Sequence, residues 1–543
     1  MKSVTLAFLA VVSLSCTKAA PASNTSPVPS SGSRPPPPPP PPGPEKHDPP
    51  CRFSPTYTID EIVKDPTAFE QDVLFWEGHF HQLNVSLNTY NGMTYDGTLI
   101  DPVNGTRTAK HPFSAASKEA LQIMLYAHAI RGDAGAARFL SPHASQDAPK
   151  IAIDYMTKKL AIYQKFNATY PGFGGFLPWF TNYDDHIEPT WDWVNRVPAL
   201  DNGEMIWAIY AAIEAMESTN NKPYIQLASK WQAYLDYLKT NAAKVFYAGN
   251  GNVCTVTSLN QSLPLHDPAN NVTCQTPSYL DDPYEGELFT WFLYFFGGLS
   301  AKDKQQLWIN KRPQLVKVDY DGGKQFGNIT VVKGFWYSAH EEWKFLEMPY
   351  LDIPLLQRLY RNGQVVRTCN SVVNKIPGMY ASVNNSTDVN GQIIGYISNA
   401  GIPSIANQTV QELDVITPYS SFTTVLIDKG VGLAWWKNMV DGKKMQNIYG
   451  SSESERVDGT ATSSFVSWDS KITTVNALLG GVYSIVGDKM KKDGIYNEFI
   501  DIATREYELV FGTGKLDGEG LPLCLPSVKE PHTGLQDYTT CHM

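Results

Sequence analysis

The chain is short of positive charge: 44 Lys+Arg stand against 54 Asp+Glu, which leaves 543 residues with a formal net charge of −10. Nucleic-acid affinity rests largely on Lys and Arg neutralising phosphates, so nucleic acid is not an expected partner. Long apolar runs are also missing. The run Val4 to Leu14 falls short of the roughly 18 apolar residues that would suggest a membrane span, and no later segment supplies one, so no membrane partner is expected. With Lys2 before it and Ser15-Cys16-Thr17-Lys18-Ala19-Ala20 after it, this run reads as a secretory signal peptide over residues 1–20. A secreted, extracellular protein is therefore expected.

Several catalytic signatures are absent as well. There is no GxSxG elbow, Walker loop, strand-associated GxGxxG or EF-hand loop, which removes hydride and phosphoryl transfer first. No CxxC or HExxH occurs, and His79-x-His81 lacks a third ligand at useful spacing, so no metal site is expected. Cysteine is scarce. Once Cys16 leaves with the signal, Cys51, Cys254, Cys274, Cys369, Cys524 and Cys541 remain, an even set that suggests disulfides in a secreted chain. Close spacing favours Cys254–Cys274 and Cys524–Cys541, although six cysteines allow other connectivities. Ten Asn-x-Ser/Thr sequons, beginning at Asn24, Asn84, Asn104, Asn167, Asn260, Asn271, Asn328, Asn384, Asn385 and Asn407, fit a glycosylated secretory protein.

What is present begins with a Pro/Ser-rich stretch, residues 21–50, that contains Pro35 to Pro42 and reads as a linker. From residue 51 to 543 no second low-complexity segment interrupts the chain, and a single catalytic-sized domain is expected. Helical periodicity dominates it. Leu121, Met124, Leu125 and Ala129 share a face, as do Met205, Ile209, Ala212, Ile213 and Met216, and likewise Tyr224, Leu227, Trp231, Tyr234, Leu235 and Leu238. Further helices are expected over residues 152–166, 284–297, 341–360, 471–485 and 494–510, with short β-like runs at Val365 to Thr368 and Phe422 to Ile427. Many amphipathic helices joined by elaborate loops, without a fixed repeat, resemble a toroid of helical hairpins rather than a solenoid.

The loops bring aromatics and carboxylates together: Trp179 to Asp185, Thr190 to Trp193, Asp281 to Glu287, Trp336 to Trp343 and Ser467 to Ser470. Sugar C–H faces stack on aromatics, carboxylates accept sugar hydroxyls, and glycosidases require a carboxyl pair. A secreted glycoside hydrolase fits this content, with a carbohydrate-binding protein or another secreted hydrolase as alternatives.

The runs Ser86 to Ile100 (SLNTYNGMTYDGTLI), His111 to Ile130, Thr190 to Ala208 (TWDWVNRVPALDNGEMIWA), Asp281 to Phe292 and Tyr449 to Val482 resemble fungal endo-β-1,2-glucanases, glycoside hydrolase family 162. The resemblance implies a mainly α fold, an (α/α)6 barrel, hydrolysis of internal β-1,2-glucosidic bonds with inversion, and no metal or organic cofactor. It implies Glu285 as general acid and Asp469 as general base. It further implies an acid that works through a hydroxyl of the bound glucan and a base that works through a second water. The expected partner is β-1,2-glucan and the expected state a monomer.

Both carboxyls also admit structural roles. Asp282-Pro283-Tyr284-Glu285 fits a capping box with Asp282 at the N-cap and Glu285 at the third helical position, and Asp469 fits a helix N-cap. Glu287 competes with Glu285 as the acid, but two residues two apart do not share a helical face. Glu453, Glu455 and Asp458 read as a solvated acidic loop that could alternatively hold the base. Asp192, Asn202, Glu204, His340, Glu341 and Trp468 are candidate sugar contacts, though caps and core packing would account for each. A helical-toroid hydrolase or lyase of another polysaccharide, or a non-catalytic glucan-binding wall protein, are the competing readings.

Overall fold

The computed structural model describes residues 48–275, 278–384, 395–531 and 534–541. The expected signal peptide and most of the expected 21–50 linker lie outside the described residues. Among these residues no helix is long and apolar enough to cross a membrane.

An inner set of helices is buried on every side, its polar side chains included. All fifteen residues of the Ala116–Ile130 helix are buried, as are most of the Ala199–Glu217 helix and all of the Trp468–Leu478 helix. Such helices have no solvent face and must be enclosed. The Trp468–Leu478 helix packs on Ala116–Ile130, which packs on Ala199–Glu217, which in turn packs on Glu287–Phe296; Phe422–Val425 packs on Trp468–Leu478. Gly203 permits one of these approaches, since a Cβ there would lie 2.8 Å from the Phe289 backbone nitrogen. Amphipathic helices such as Lys222–Phe246, with Leu227, Trp231, Tyr234, Leu235 and Leu238 inward, form the outer layer. The result is an (α/α)6 barrel with one extended hydrophobic core and two smaller satellite clusters.

Among the described residues, strands are short and confined to eight small sheets of two or three strands. One of them matters to function: Gly97–Ile100 lies antiparallel between Arg107–His111 and Phe465–Ser467, so that Gly97 faces both His111 and Ser467. A Cβ at Gly97 would lie 2.3 Å from the Val466 carbonyl oxygen, which is why this centre strand begins with glycine.

Three expectations require correction. Val365 to Thr368 and Phe422 to Ile427 are not strands: the first lies within the Pro354–Val373 helix and the second begins the Phe422–Val425 helix. Burial of their β-branched side chains in the barrel overrides strand propensity. The expected helix over 341–360 is broken, because Pro349 and Pro354 each start a new element, a 3-10 turn Pro349–Asp352 and the helix Pro354–Val373. The 471–485 helix likewise ends at Leu478, where Gly480 (φ +88°) and Gly481 (φ +67°) turn the chain into the Tyr483–Lys492 helix.

The disulfides are Cys51–Cys541, Cys254–Cys274 and Cys369–Cys524. Cys254–Cys274 agrees with the spacing argument, whereas Cys524–Cys541 does not form. The C-terminal tail is laid out along the body instead, with the Cys524 backbone N–H donating to Thr368 Oγ1 (3.2 Å) and Thr539 donating to the Val103 carbonyl (3.1 Å). That path carries the two cysteines to different partners. The Cys51–Cys541 bridge closes a loop of 490 residues, the kind of constraint that most reduces unfolded-chain entropy. The double variant Cys51→Ser, Cys541→Ser is expected to lose about 2–5 kcal/mol of stability, read as a lower Tm, while the folded fraction keeps its turnover.

Candidate active site

The Ala116–Ile130, Ala199–Glu217, Glu287–Phe296 and Trp468–Leu478 helices bring their N-terminal turns to one mouth of the barrel, and the charged residues gather there. Lys118, in the first turn of its helix, opposes the helix dipole and requires an anionic partner. It has two: its Nζ lies 3.1 Å from Asp469 Oδ2 and 3.8 Å from Asp96 Oδ1. Asp96 in turn holds His111 Nδ1 at 3.1 Å. The small sheet explains this convergence. Asp96 directly precedes Gly97, His111 ends the neighbouring strand, and Asp469 follows the other neighbour by two residues.

Asp469 is not the N-cap of its helix. Ser467 is, accepting from the Ser470 N–H, and Asp469 occupies the second helical position. Its side chain is buried, and its Oδ1 has no hydrogen-bond partner among the described residues. Burial raises its pKa above the ordinary aspartate value, and Lys118 opposes this. One buried oxygen is paired and the other is uncommitted, the arrangement of a base that can orient a water.

Glu285 is not the third residue of a capping box. The helix begins at Glu287, with Gly286 at the N-cap, and Asp282 instead accepts from the Tyr284 N–H (3.0 Å). Glu285 thus sits in the turn ahead of the helix, with a buried Oε2 that has no partner among the described residues. Burial, then the Asp282 and Glu341 carboxyls, push its pKa well above the carboxylate range, and Lys344 only partly counters them. Lys344 is already engaged: it donates to the Pro283 carbonyl, to Glu287 Oε2 (3.1 Å) and to Tyr507 (2.7 Å). These bonds fix the turn that carries Glu285 and commit Glu287 to a buried ion pair.

Tyr419 feels the charge of both carboxyls. Burial and next the Asp469 charge push its phenol well above its ordinary value, with Glu285 adding to the effect. Its hydroxyl accepts from Trp343 Nε1 (2.7 Å) and is bonded to His340 Nδ1 (2.7 Å). Burial, with Lys118 nearby, lowers His340 to about 3, so the imidazole is neutral.

The remaining sugar-contact candidates separate. Glu204 is buried with neither oxygen partnered among the described residues, and burial followed by Asp201, Glu347 and Glu285 raises its pKa well above normal. Asp192 is half-exposed and holds its own loop through Thr190 Oγ1 (2.8 Å) and Arg196 (3.4 Å). Three others are structural. Asn202 is fully buried and pins Leu177 and Pro198 through its amide. Glu341 spends its oxygens on the N–H groups of Phe335, Trp336 and Ser338. Trp468 has no exposed face to offer a sugar; its indole donates to the Ser86 carbonyl and its ring packs against Phe80. His79 and His81 are engaged with the Ile448 carbonyl and the Tyr126 hydroxyl respectively.

The acidic loop is not solvated as expected: Glu453 and Glu455 are both 1% exposed, and only Asp458 faces solvent. Glu453 accepts from Ser470 Oγ (2.8 Å) and the Asn384 amide (3.1 Å), and burial raises it to about 7.

Sequence reasoning missed Lys118, Asp96, Asp201, Tyr419 and Glu347. A lysine in the first turn of a helix, where the dipole disfavours a cation, was the available signal for the first of these. Glu347, next to the apolar Phe345, Leu346 and Met348 in sequence, is fully buried with both oxygens unpartnered among the described residues, and burial alone raises its pKa.

An (α/α)6 barrel that gathers two differently tuned carboxyls among aromatics at one mouth defines a glycoside hydrolase of the acid/base type. The family model for endo-beta-1,2-glucanase SGL matches residues 93–542. An endo-beta-1,2-glucanase from Talaromyces funiculosus, solved with sophorose, is 60% identical with a TM-score of 0.89, covering 91% of this chain and 100% of that one. A glutamate-to-glutamine mutant of the Talaromyces funiculosus enzyme, solved with beta-1,2-glucan, is also 60% identical, with a TM-score of 0.90 over 91% of this chain and 100% of that one. The endo-beta-1,2-glucanase from Chitinophaga pinensis, 13% identical with a TM-score of 0.54 over 80% of this chain and 98% of that one, shares the fold. Among curated proteins no match was found. The chain belongs to the endo-β-1,2-glucanase SGL family, glycoside hydrolase family 162.

Two outcomes follow from these electrostatics. Lys118→Met leaves the burial of Asp469 unopposed, so the acidic limb of the kcat/KM profile is expected to move to higher pH, checked by kinetics across that limb. For Glu347 the folded pKa is raised, so its cost is absent below the unfolded value of about 4.3 and grows as pH rises above it, when the unfolded chain ionises first. Glu347→Gln is therefore expected to raise Tm near neutral pH, leave it nearly unchanged near pH 4, and flatten its decline between them.

Proposed function

We propose that this protein is a secreted endo-β-1,2-glucanase that cuts internal bonds of β-1,2-glucan with inversion, using Glu285 as general acid and Asp469 as general base. The observation that carries the role assignment is the unequal placement of cations. Asp469 contacts Lys118 at 3.1 Å and sits in the first turn of a helix, and both favour its ionised form. Glu285 has no such contact among the described residues, because Lys344 is held by Glu287, and it keeps its proton. One carboxyl can then supply a proton to the leaving oxygen while the other removes one from the attacking water.

The substrate assignment is supported by family membership and by the β-1,2-linked glucan and sophorose found with the 60% identical enzyme. Secretion is supported by the three disulfides and by the exposure of the sequon residues Asn84, Asn260, Asn271, Asn328 and Asn407. We further propose a monomer whose residues 51–543 form one catalytic domain, with residues 21–50 acting as a spacer.

Glu285→Gln and Asp469→Asn are each expected to lower kcat on linear β-1,2-glucan by at least about 10²-fold without a matching loss of Tm. Glu287→Gln should do the reverse, losing stability by weakening the Lys344 ion pair. The first product should carry the α-anomeric configuration, and a first product in the β-anomer would overturn inversion. Equal rates on β-1,3- or β-1,4-glucan would overturn the linkage assignment.

A further inference from the structure

Trp191 is 86% exposed, whereas the barrel buries Trp207, Trp231, Trp291, Trp343, Trp435 and Trp468 almost completely. An indole left in water is costly, and this one is held there by a built loop. The segment 190–196 connects strand Ile187–Pro189, paired with Phe180–Asn182, to strand Arg196–Pro198, paired with Val256–Ser258. Within it the Trp193 N–H donates to the Thr190 carbonyl (2.8 Å), Thr190 Oγ1 donates to Asp192, and the Arg196 guanidinium lies 4.6 Å from the Trp193 ring centroid. Trp191 is thus presented at the tip of a braced loop.

The loop delivers the chain to the N-terminus of the Ala199–Glu217 helix, so it lies at the mouth of the barrel that holds the carboxyls. It is tied to them directly. The Thr190 N–H donates to the Trp179 carbonyl (2.9 Å), and the Trp193 ring stacks on Trp179 at 5.9 Å with a 13° tilt. Trp179 donates its indole proton to Asp201 (3.2 Å) and lies with its ring centroid 5.8 Å from Lys118 Nζ, the cation on Asp469. An aromatic path therefore runs outward from the base to the rim.

We infer that Trp191 is a stacking platform for the part of a long β-1,2-glucan chain that leaves the catalytic centre. The flat indole accepts a sugar C–H face, and half-exposed Asp192 beside it offers a carboxylate to sugar hydroxyls. Contact with a part of the polymer remote from the broken bond strengthens ground-state and transition-state binding alike, so it acts on KM and spares kcat. This inference rests on the assignment of the barrel mouth as the glucan site.

The test compares wild type, Trp191→Ala and Trp191→Phe on long linear β-1,2-glucan and on the shortest β-1,2-glucooligosaccharide that wild type cleaves. Trp191→Ala should raise KM for the polymer about tenfold, the scale of one lost stacking contact, with kcat unchanged and no change on the short substrate. Trp191→Phe should recover most of the loss, which a purely structural role would not produce. An unchanged polymer KM in an active Trp191→Ala enzyme overturns the platform while leaving the catalytic assignment intact. So does an equal loss on both substrates. A wild type that fails to cut β-1,2-glucan removes the site assignment and the platform together. A change confined to self-association, seen by sedimentation, also overturns it and makes Trp191 a contact between copies.

Discussion

The ion pair between Lys118 and Asp469 is the contact around which the mouth of the barrel is arranged. A lysine in the first turn of a helix faces the positive end of the dipole and is stable there only with carboxylates close by. Asp469 and Asp96 meet that need at 3.1 and 3.8 Å, and the three-stranded sheet centred on Gly97 holds both in register. Burial works against every charge in the group. Burial raises the Asp469 pKa and lowers that of Lys118, yet the opposite charges of Asp469 and Asp96 outweigh it and keep the lysine protonated.

That arrangement makes the two carboxyls proposed as acid and base unequal. Glu285, Glu204 and Glu347 are drawn into the same enclosed region without a paired cation, and their pKa values rise well above normal. Lys344 could have neutralised one of them, but Glu287 and Tyr507 retain it. Glu287, two residues from Glu285 in sequence, instead serves the fold: it holds Lys344 in a buried ion pair that braces the turn ahead of the helix. The proposed acid and base roles rest on which carboxyl has a cation within hydrogen-bonding distance.

The outer barrel was legible in the sequence because its helices are amphipathic; the stripe from Tyr224 to Leu238 maps onto one buried side of the Lys222–Phe246 helix. Inner helices read less well. Stripes such as Leu121 to Ala129 and Met205 to Met216 located two of them but not their burial on all sides, and short pieces such as Lys344–Glu347 are set by prolines and tertiary packing. Glu285 and Asp469 were reached through family resemblance, since local pattern made Glu285 the third helical position of a capping box on Asp282 and Asp469 an N-cap, whereas Gly286 and Ser467 are the N-caps. The buried acids Glu453 and Glu455 looked like a solvated loop because nothing local marks an acidic run that later folds under a rim. Trp468, read as a sugar platform, is core, while the more exposed Trp191 stands two residues from a Trp that is buried.

The central claim is that Glu285 is protonated when Asp469 is ionised, and infrared difference spectroscopy reads it directly. Spectra of wild type and Glu285→Gln at the same mildly acidic pH should differ by loss of a protonated-carboxyl C=O band in the variant, while Asp469→Asn removes carboxylate absorbance instead. Loss of a carboxylate band on Glu285→Gln, with no change in the protonated-carboxyl region, would contradict the account.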